Sequence, residues 1–226
     1  MAAPVLTRFV ADPADPRSPR VISDEFTVAT IEGGEIGELG WNFTNGTWNL
    51  VNPSADHPGV CRRVSTAVSG TIASAFTGGG GATPSIQVDQ AVEMVWVIRP
   101  LTADADYDFR FGLSSDFTSQ TPSHAIYFEK LAADTNLFAV CRFSGTQTRV
   151  DTGVASAAEW FTLRRRQISA TSMGFRVNGA AEVVVDTNVP AAATAMVYGF
   201  HIVPQSANAR SVDADFFSMK IPGLVR

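Results

Sequence analysis

From Asp24 to the C-terminus the apolar positions recur at every second residue in short runs, with no sustained three-to-four-residue period. Phe109-Arg110-Phe111-Gly112-Leu113 alternates apolar with polar or small side chains, the period-2 signature of a half-buried strand. Val92–Arg99 reads as a central strand. Gly59–Val64, Leu137–Phe143, Trp160–Arg166, Met173–Val177, Val183–Val185, Met196–Ile202 and Val212–Met219 add further strand-like runs. Turn chemistry separates them at Asn45-Gly46, Ser144-Gly145, Asn178-Gly179 and Thr187–Pro190. Asn178-Gly179 between two apolar runs predicts a tight hairpin, because both residues tolerate positive φ. Thr152–Trp160 is the best helical candidate and is only a turn or two long. About a dozen short strands at close spacing predict one all-β sandwich or barrel.

Residues 1–22 follow a different rule. Pro13, Pro16 and Pro19 fall within seven residues, so this stretch cannot enter a sheet interior and reads as an extended arm. The body is expected over residues 23–226 as a single domain. Thr77–Ala82, with four glycines, reads as a loop within that domain.

The chain has 226 residues, enough to bury a sizeable core without disulfides. Cys61 and Cys141 both lie in apolar runs and are expected as buried free thiols. The net charge of −5 argues against a general nucleic-acid binder, which needs a cationic face. Arg164-Arg165-Arg166 is the one dense basic run, and alternation should send its members to opposite faces of a strand. No run approaches the ~18 apolar residues of a membrane helix. Met1–Arg20 lacks the apolar stretch of a signal peptide, so synthesis in a cytosol is expected.

Candidate chemistry is sparse. Asp104-x-Asp106-x-Asp108 starts like a calcium loop, but Phe109 stands where a glycine is needed. Calcium is thus the only cofactor left in view, and none is expected. His57, His124 and His201 are scattered, and no Gly-x-Ser-x-Gly elbow is present. A sandwich glucanase needs two carboxylates facing each other across a glycosidic bond, commonly as Glu-x-Asp-x-x-Glu on one strand. That run is missing, Glu93 stands alone in its strand, and Asp213 and Asp215 form a pair without a third member. These absences lead to the expectation that the protein is not an enzyme. For sugar binding, Trp41, Asn45 and Trp48 are the candidate cluster, with Asn42 and Asn49 beside them; the alternative is that Trp41 packs in the core and Trp48 covers a hairpin.

The order of landmarks carries a resemblance. Glu35–Trp41 is followed by Asp56-His57-Pro58-Gly59-Val60, then Ala125–Phe128 and Asn136–Val140. Trp160-Phe161-Thr162-Leu163 then precedes Gly174–Gly179, and Val212–Phe217 closes the chain. From about Ser23 onward this resembles phage-encoded virion proteins with a concanavalin-A-like jelly roll. The resemblance implies an all-β, two-sheet antiparallel jelly-roll sandwich of the lectin/glucanase type with an extended N-terminal arm. It also implies a non-enzymatic virion protein, made in the host cytoplasm. The first role in view is a head decoration (cement) protein, a homo-oligomer such as a trimer. It would bind the major capsid protein or other virion proteins through Pro13, Pro16, Arg17, Pro19 and Arg20. The alternative is a tail or fibre adhesion module that recognises a host surface glycan. Neither role calls for nucleic acid or membrane as partner.

Overall fold

The period-2 runs pair into two antiparallel sheets that face each other across one aromatic core. The computed structural model describes residues 20–24, 26, 39, 41–51, 57, 59–77, 86–102 and 106–221. In chain order the first strands are β1 Arg20–Asp24, β2 Trp41–Thr44, β3 Thr47–Val51, β4 Val60–Val64 and β5 Ala73–Thr77. The middle of the chain supplies β6 Ile86–Gln87, β7 Glu93–Pro100, β8 Tyr107–Ser114, β9 Ala125–Lys130, β10 Asn136–Phe143 and β11 Thr146–Ala155. The rest are β12 Phe161–Ser169, β13 Ser172–Val177, β14 Val183–Val185, β15 Ala195–Pro204 and β16 Ser211–Ile221.

The first sheet runs β14-β13-β12-β7-β16-β4-β3, with β1 pairing β16 as well. The second runs β11-β10-β9-β8-β15-β5-β2, with β6 pairing β15. Spatial neighbours such as β7 and β16, or β8 and β15, are far apart in sequence, as the jelly-roll connection requires. β1 and β16 bring the two ends of the described chain together, with Arg20 opposite Ile221 and Asp24 opposite Phe217.

Trp96 of β7 packs 4.4 Å from Phe217, and Phe111 stacks 4.6 Å from Phe200 across the β8–β15 pair. Trp41 is fully buried among Phe26, Trp96, Tyr198 and Phe217. Its indole Nε1–H donates to Asp24 Oδ2 at 2.9 Å, so the one polar atom of this ring is satisfied inside the core. Each such ring pair adds about 0.5–1.5 kcal/mol beyond the area it buries. The expected all-β sandwich is therefore the observed fold.

The turns follow their sequence signals. Asn178 and Gly179 both take positive φ, 48° and 75°, in the connection from β13 to β14. Asn45 and Gly46, at 51° and 97°, turn the chain from β2 of the second sheet into β3 of the first, so this is a corner between sheets. A Cβ on Gly46 would lie 2.2 Å from the Val64 carbonyl oxygen, which leaves room for no other residue. The helical expectation fails at Thr152–Trp160. Thr152–Ala155 end β11, where Thr152 Oγ1 donates to the Leu137 carbonyl at 2.7 Å, and strand pairing overrides alanine's helix preference.

Arg164-Arg165-Arg166 divides as alternation requires. Arg164 pairs with Glu93, and Arg166 makes a double contact with Glu182 at 2.7 and 2.6 Å. Arg165 points inward, donating to the Ala91 carbonyl and the Met94 sulfur, and burial pulls its guanidinium down to about 10. Cys61 and Cys141 are free and buried, and burial raises both thiols, Cys141 to about 12.

Candidate functional site

Two polar clusters occupy the outward faces, one on each sheet. In the first sheet Asp213 of β16 lies directly opposite Arg62 of β4 on one side and Arg99 of β7 on the other. Its carboxylate is wholly buried. Arg62 donates from Nε to Oδ1 at 2.7 Å and from Nη2 to Oδ2 at 3.1 Å, while Arg99 Nη2 donates to Oδ2 at 2.7 Å. The hydrogen bonds it donates to Asp213 raise Arg62 above the ordinary guanidinium value. The Arg62 and Arg99 side chains are 31% and 33% exposed and that of Asp213 is 0% exposed, so the acid lies beneath and the bases stand above it.

β16 carries a β-bulge just beyond this point, between Ala214 and Phe216. Asp215 is the residue without a partner on β7. Its Oδ2 accepts from His57 Nδ1 at 2.8 Å, and since a carboxylate only accepts, this fixes the imidazole proton on Nδ1. The imidazole stacks on Trp160 with ring centroids 3.9 Å apart and planes 17° apart. Arg99 lies on the same indole, its Cζ 4.8 Å from the ring centroid. Trp160 is only half-buried, just ahead of β12, whose first residue Phe161 pairs with Ile98 next to Arg99. The outcome is a compact surface of one indole, one imidazole and two guanidiniums over two carboxylates. An aromatic face flanked by fixed hydrogen-bonding groups is the chemistry that holds a sugar ring.

The second sheet places a row of side chains straight across its outward face: Thr44, Ser74, His201, Arg110, Glu129, Phe138 and Asp151 are successive cross-strand partners. Glu129 accepts from Arg110 Nε at 2.6 Å and from Arg149 Nε at 2.5 Å, and Arg149 also reaches Asp134. His201 donates from Nδ1 to the Phe117 carbonyl at 3.1 Å and accepts at Nε2 from Arg110 Nη1 at 2.6 Å. Burial first, then the Arg110 charge, pushes His201 down to about 3, so it is neutral. Burial also raises Asp108 and pushes Tyr127 up to about 12. Arg110, Glu129 and His201 are all buried, and Glu129 has both oxygens engaged. This network locks strands together and offers little to a ligand.

The structure disperses the candidates drawn from sequence. Pro13, Pro16, Arg17 and Pro19 lie outside the described residues, and Arg20 opens β1. Trp41 is inside the core and cannot meet a sugar. Asn45 is a turn residue whose Nδ2 donates to the Ile72 carbonyl at 3.0 Å. Trp48 leans on Phe43 at 4.8 Å and Phe200 at 5.7 Å, with the Arg63 guanidinium 5.7 Å above its ring. The acidic run also separates. Asp104 lies outside the described residues, Asp106 pairs with Arg210, and Asp108 accepts from Ala132 N and Gln205 Nε2. No group of three His, Cys, Asp or Glu side chains suited to a metal occurs among the described residues. Arg62, Arg99 and the Asp215–His57 pair were not foreseen. The signal available was weak, a charged residue recurring inside apolar strands.

The fold and these clusters define a jelly-roll sandwich of the glucanase type. No family model matches the chain. A search of curated proteins likewise finds no match. Solved structures do match. A protein of unknown function from Shewanella oneidensis MR-1 superposes with a TM-score of 0.68 at 15% identity, covering 98% of this chain and 92% of that one. Bacillus licheniformis β-glucanase gives 0.57 at 14% identity, covering 88% and 97%. The Crh5 transglycosylase gives 0.60 at 13% identity, covering 89% and 84%.

At such identities the likeness is one of fold. It nonetheless overturns the expectation that the protein is not an enzyme, because most of the similar structures are glycosidases or transglycosylases. The missing Glu-x-Asp-x-x-Glu run was poor ground for that exclusion. On the second sheet Glu129 of β9 and Asp151 of β11 come from separate strands, where a linear motif cannot show them.

Proposed function

We propose that the protein is a glycan-binding jelly roll whose contact surface is the Trp160 cluster on the first sheet. The observation that carries this reading is the half-buried Trp160 indole, held between structural elements by His57 and Arg99 and bordered by donors that a buried carboxylate fixes in place. An indole held in place by its neighbours loses little entropy when a pyranose packs against its exposed part, and oriented donors select among the hydroxyls. A glycan array read with wild type and Trp160→Ala tests it. The expected result is selective binding that the substitution removes while the melting temperature stays nearly constant. Binding that survives Trp160→Ala would move the site elsewhere. A reducing-end assay on the glycans bound would separate recognition from cleavage.

The setting follows the sequence resemblance: a phage particle, in which glycan recognition fits the tail or fibre role. The decoration role, with the major capsid protein as partner, depends on the Pro-rich arm. Gold labelling of source particles separates the two, with label on the tail expected and label spread over the head supporting decoration.

A further inference from the structure

We propose that the Trp160 cluster is built for an acidic glycan, with the carboxylate of a uronic-acid type sugar docking on the paired guanidiniums of Arg62 and Arg99. This deepens the glycan reading and rests on it.

The geometry is that of an anion receptor. Asp213 is fully buried and spends its two oxygens on three N–H donors, one edge of Arg62 and one corner of Arg99. Its role is to hold two like charges side by side, which would otherwise repel and swing into water. Among the described residues, Nη1 of Arg62 and Nη1 of Arg99 make no hydrogen bond. Arg99 Nε is buried without a hydrogen-bond partner among the described residues, so the two Nη1 groups are where a ligand's acceptors would complete the site.

What reaches solvent is accordingly rich in donors. Arg62 and Arg99 are each about one-third exposed, whereas Asp213 is 0% exposed and Asp215 13%. The ligand must therefore bring acceptors. A planar carboxylate matches a guanidinium fork with two parallel hydrogen bonds, which a hydroxyl cannot do. Trp160, stacked by His57 and with Arg99 Cζ 4.8 Å from its ring centroid, borders the pair with apolar surface.

The test is titration calorimetry of the full chain with an oligouronate and with the same oligosaccharide after its carboxyl groups are reduced to hydroxymethyl. The oligouronate should bind at least tenfold more tightly, and the preference should shrink as salt is raised. Arg62→Gln should remove the preference, bringing the oligouronate's affinity down to that of the reduced oligosaccharide. Arg62→Lys, which keeps charge but lacks the fork, should lose most of it while retaining the fold. Equal affinity for the two oligosaccharides would overturn the inference and leave glycan binding intact. Failure of both to bind, with neutral glycans also silent on the array, would overturn the glycan reading itself. A sulfated oligosaccharide preferred over the uronate would overturn the carboxylate assignment.

Discussion

Glu129 of the second sheet and Asp213 of the first lie at almost the same depth, 1% and 0% exposed, and each holds two arginines. What surrounds the arginines differs. Arg110 is buried and passes its remaining contacts to a neutral His201, so charge and hydrogen bonds close on themselves. Arg62 and Arg99 open outward, and one N–H of Arg99 has nothing to donate to. The same residue pairing thus makes a strut in one place and a receptor in the other. Depth of the acid does not separate them; satisfaction of the bases does.

The sharpest way to break this contrast is to remove each acid. Glu129→Ala should cost about 3–5 kcal/mol, because it leaves Arg110 buried without a counter-charge. Asp213→Ala should cost less, about 1–3 kcal/mol, since its arginines can turn to water. Urea unfolding of the two variants reads the difference, and equal losses would mean that the receptor is a strut as well.

The next effect is one of pH. His201 takes up its proton near pH 3 in the fold and near ~6.5 in the unfolded chain. Between those values the unfolded state binds the extra proton, so stability falls as the pH is lowered, by up to about 1.4 kcal/mol per unit. His201→Gln, which can still donate to Phe117 and accept from Arg110, should flatten that part of a melting-temperature profile.

Two tryptophans sharpen the comparison further. Trp48→Ala should cost about 2–3 kcal/mol, as its ring supports Phe43 and Phe200. Trp160→Ala should change stability by less than about 1 kcal/mol while removing glycan binding. The smallest effect belongs to Arg166→Gln, whose pair with Glu182 lies at the surface, so its urea midpoint should hardly move.

Much of the framework was legible from residue order. Asn178-Gly179 marked its turn, and alternation showed that Arg164, Arg165 and Arg166 would divide between opposite faces of their strand. The central strands hid more. β8 and β9 are buried along their whole length, and β15 from Met196 onward, so their outward residues look like core residues in the sequence. The site was hidden for another reason. Arg62 and Asp213 are 151 residues apart, and His57 and Asp215 are 158 apart, joined only because β4 and β7 flank β16. Asp213 and Asp215 were visible as a pair, but their spacing could not show that a bulge would give each a different partner. Trp41, by contrast, drew attention as a sugar platform through its neighbours' polarity, whereas its Nε1–H is satisfied internally by Asp24.

The pairing of β1 with β16 also decides how the molecule bears force. Arg20 lies opposite Ile221, so a pull applied through the two ends of the described chain loads that first residue pair across the strands. Hydrogen bonds in an antiparallel ladder pulled this way fail one after another, not together in shear. β1 would peel away at low tension. The rest of the sandwich, held by β4 and β7 on either side of β16, would then carry the load.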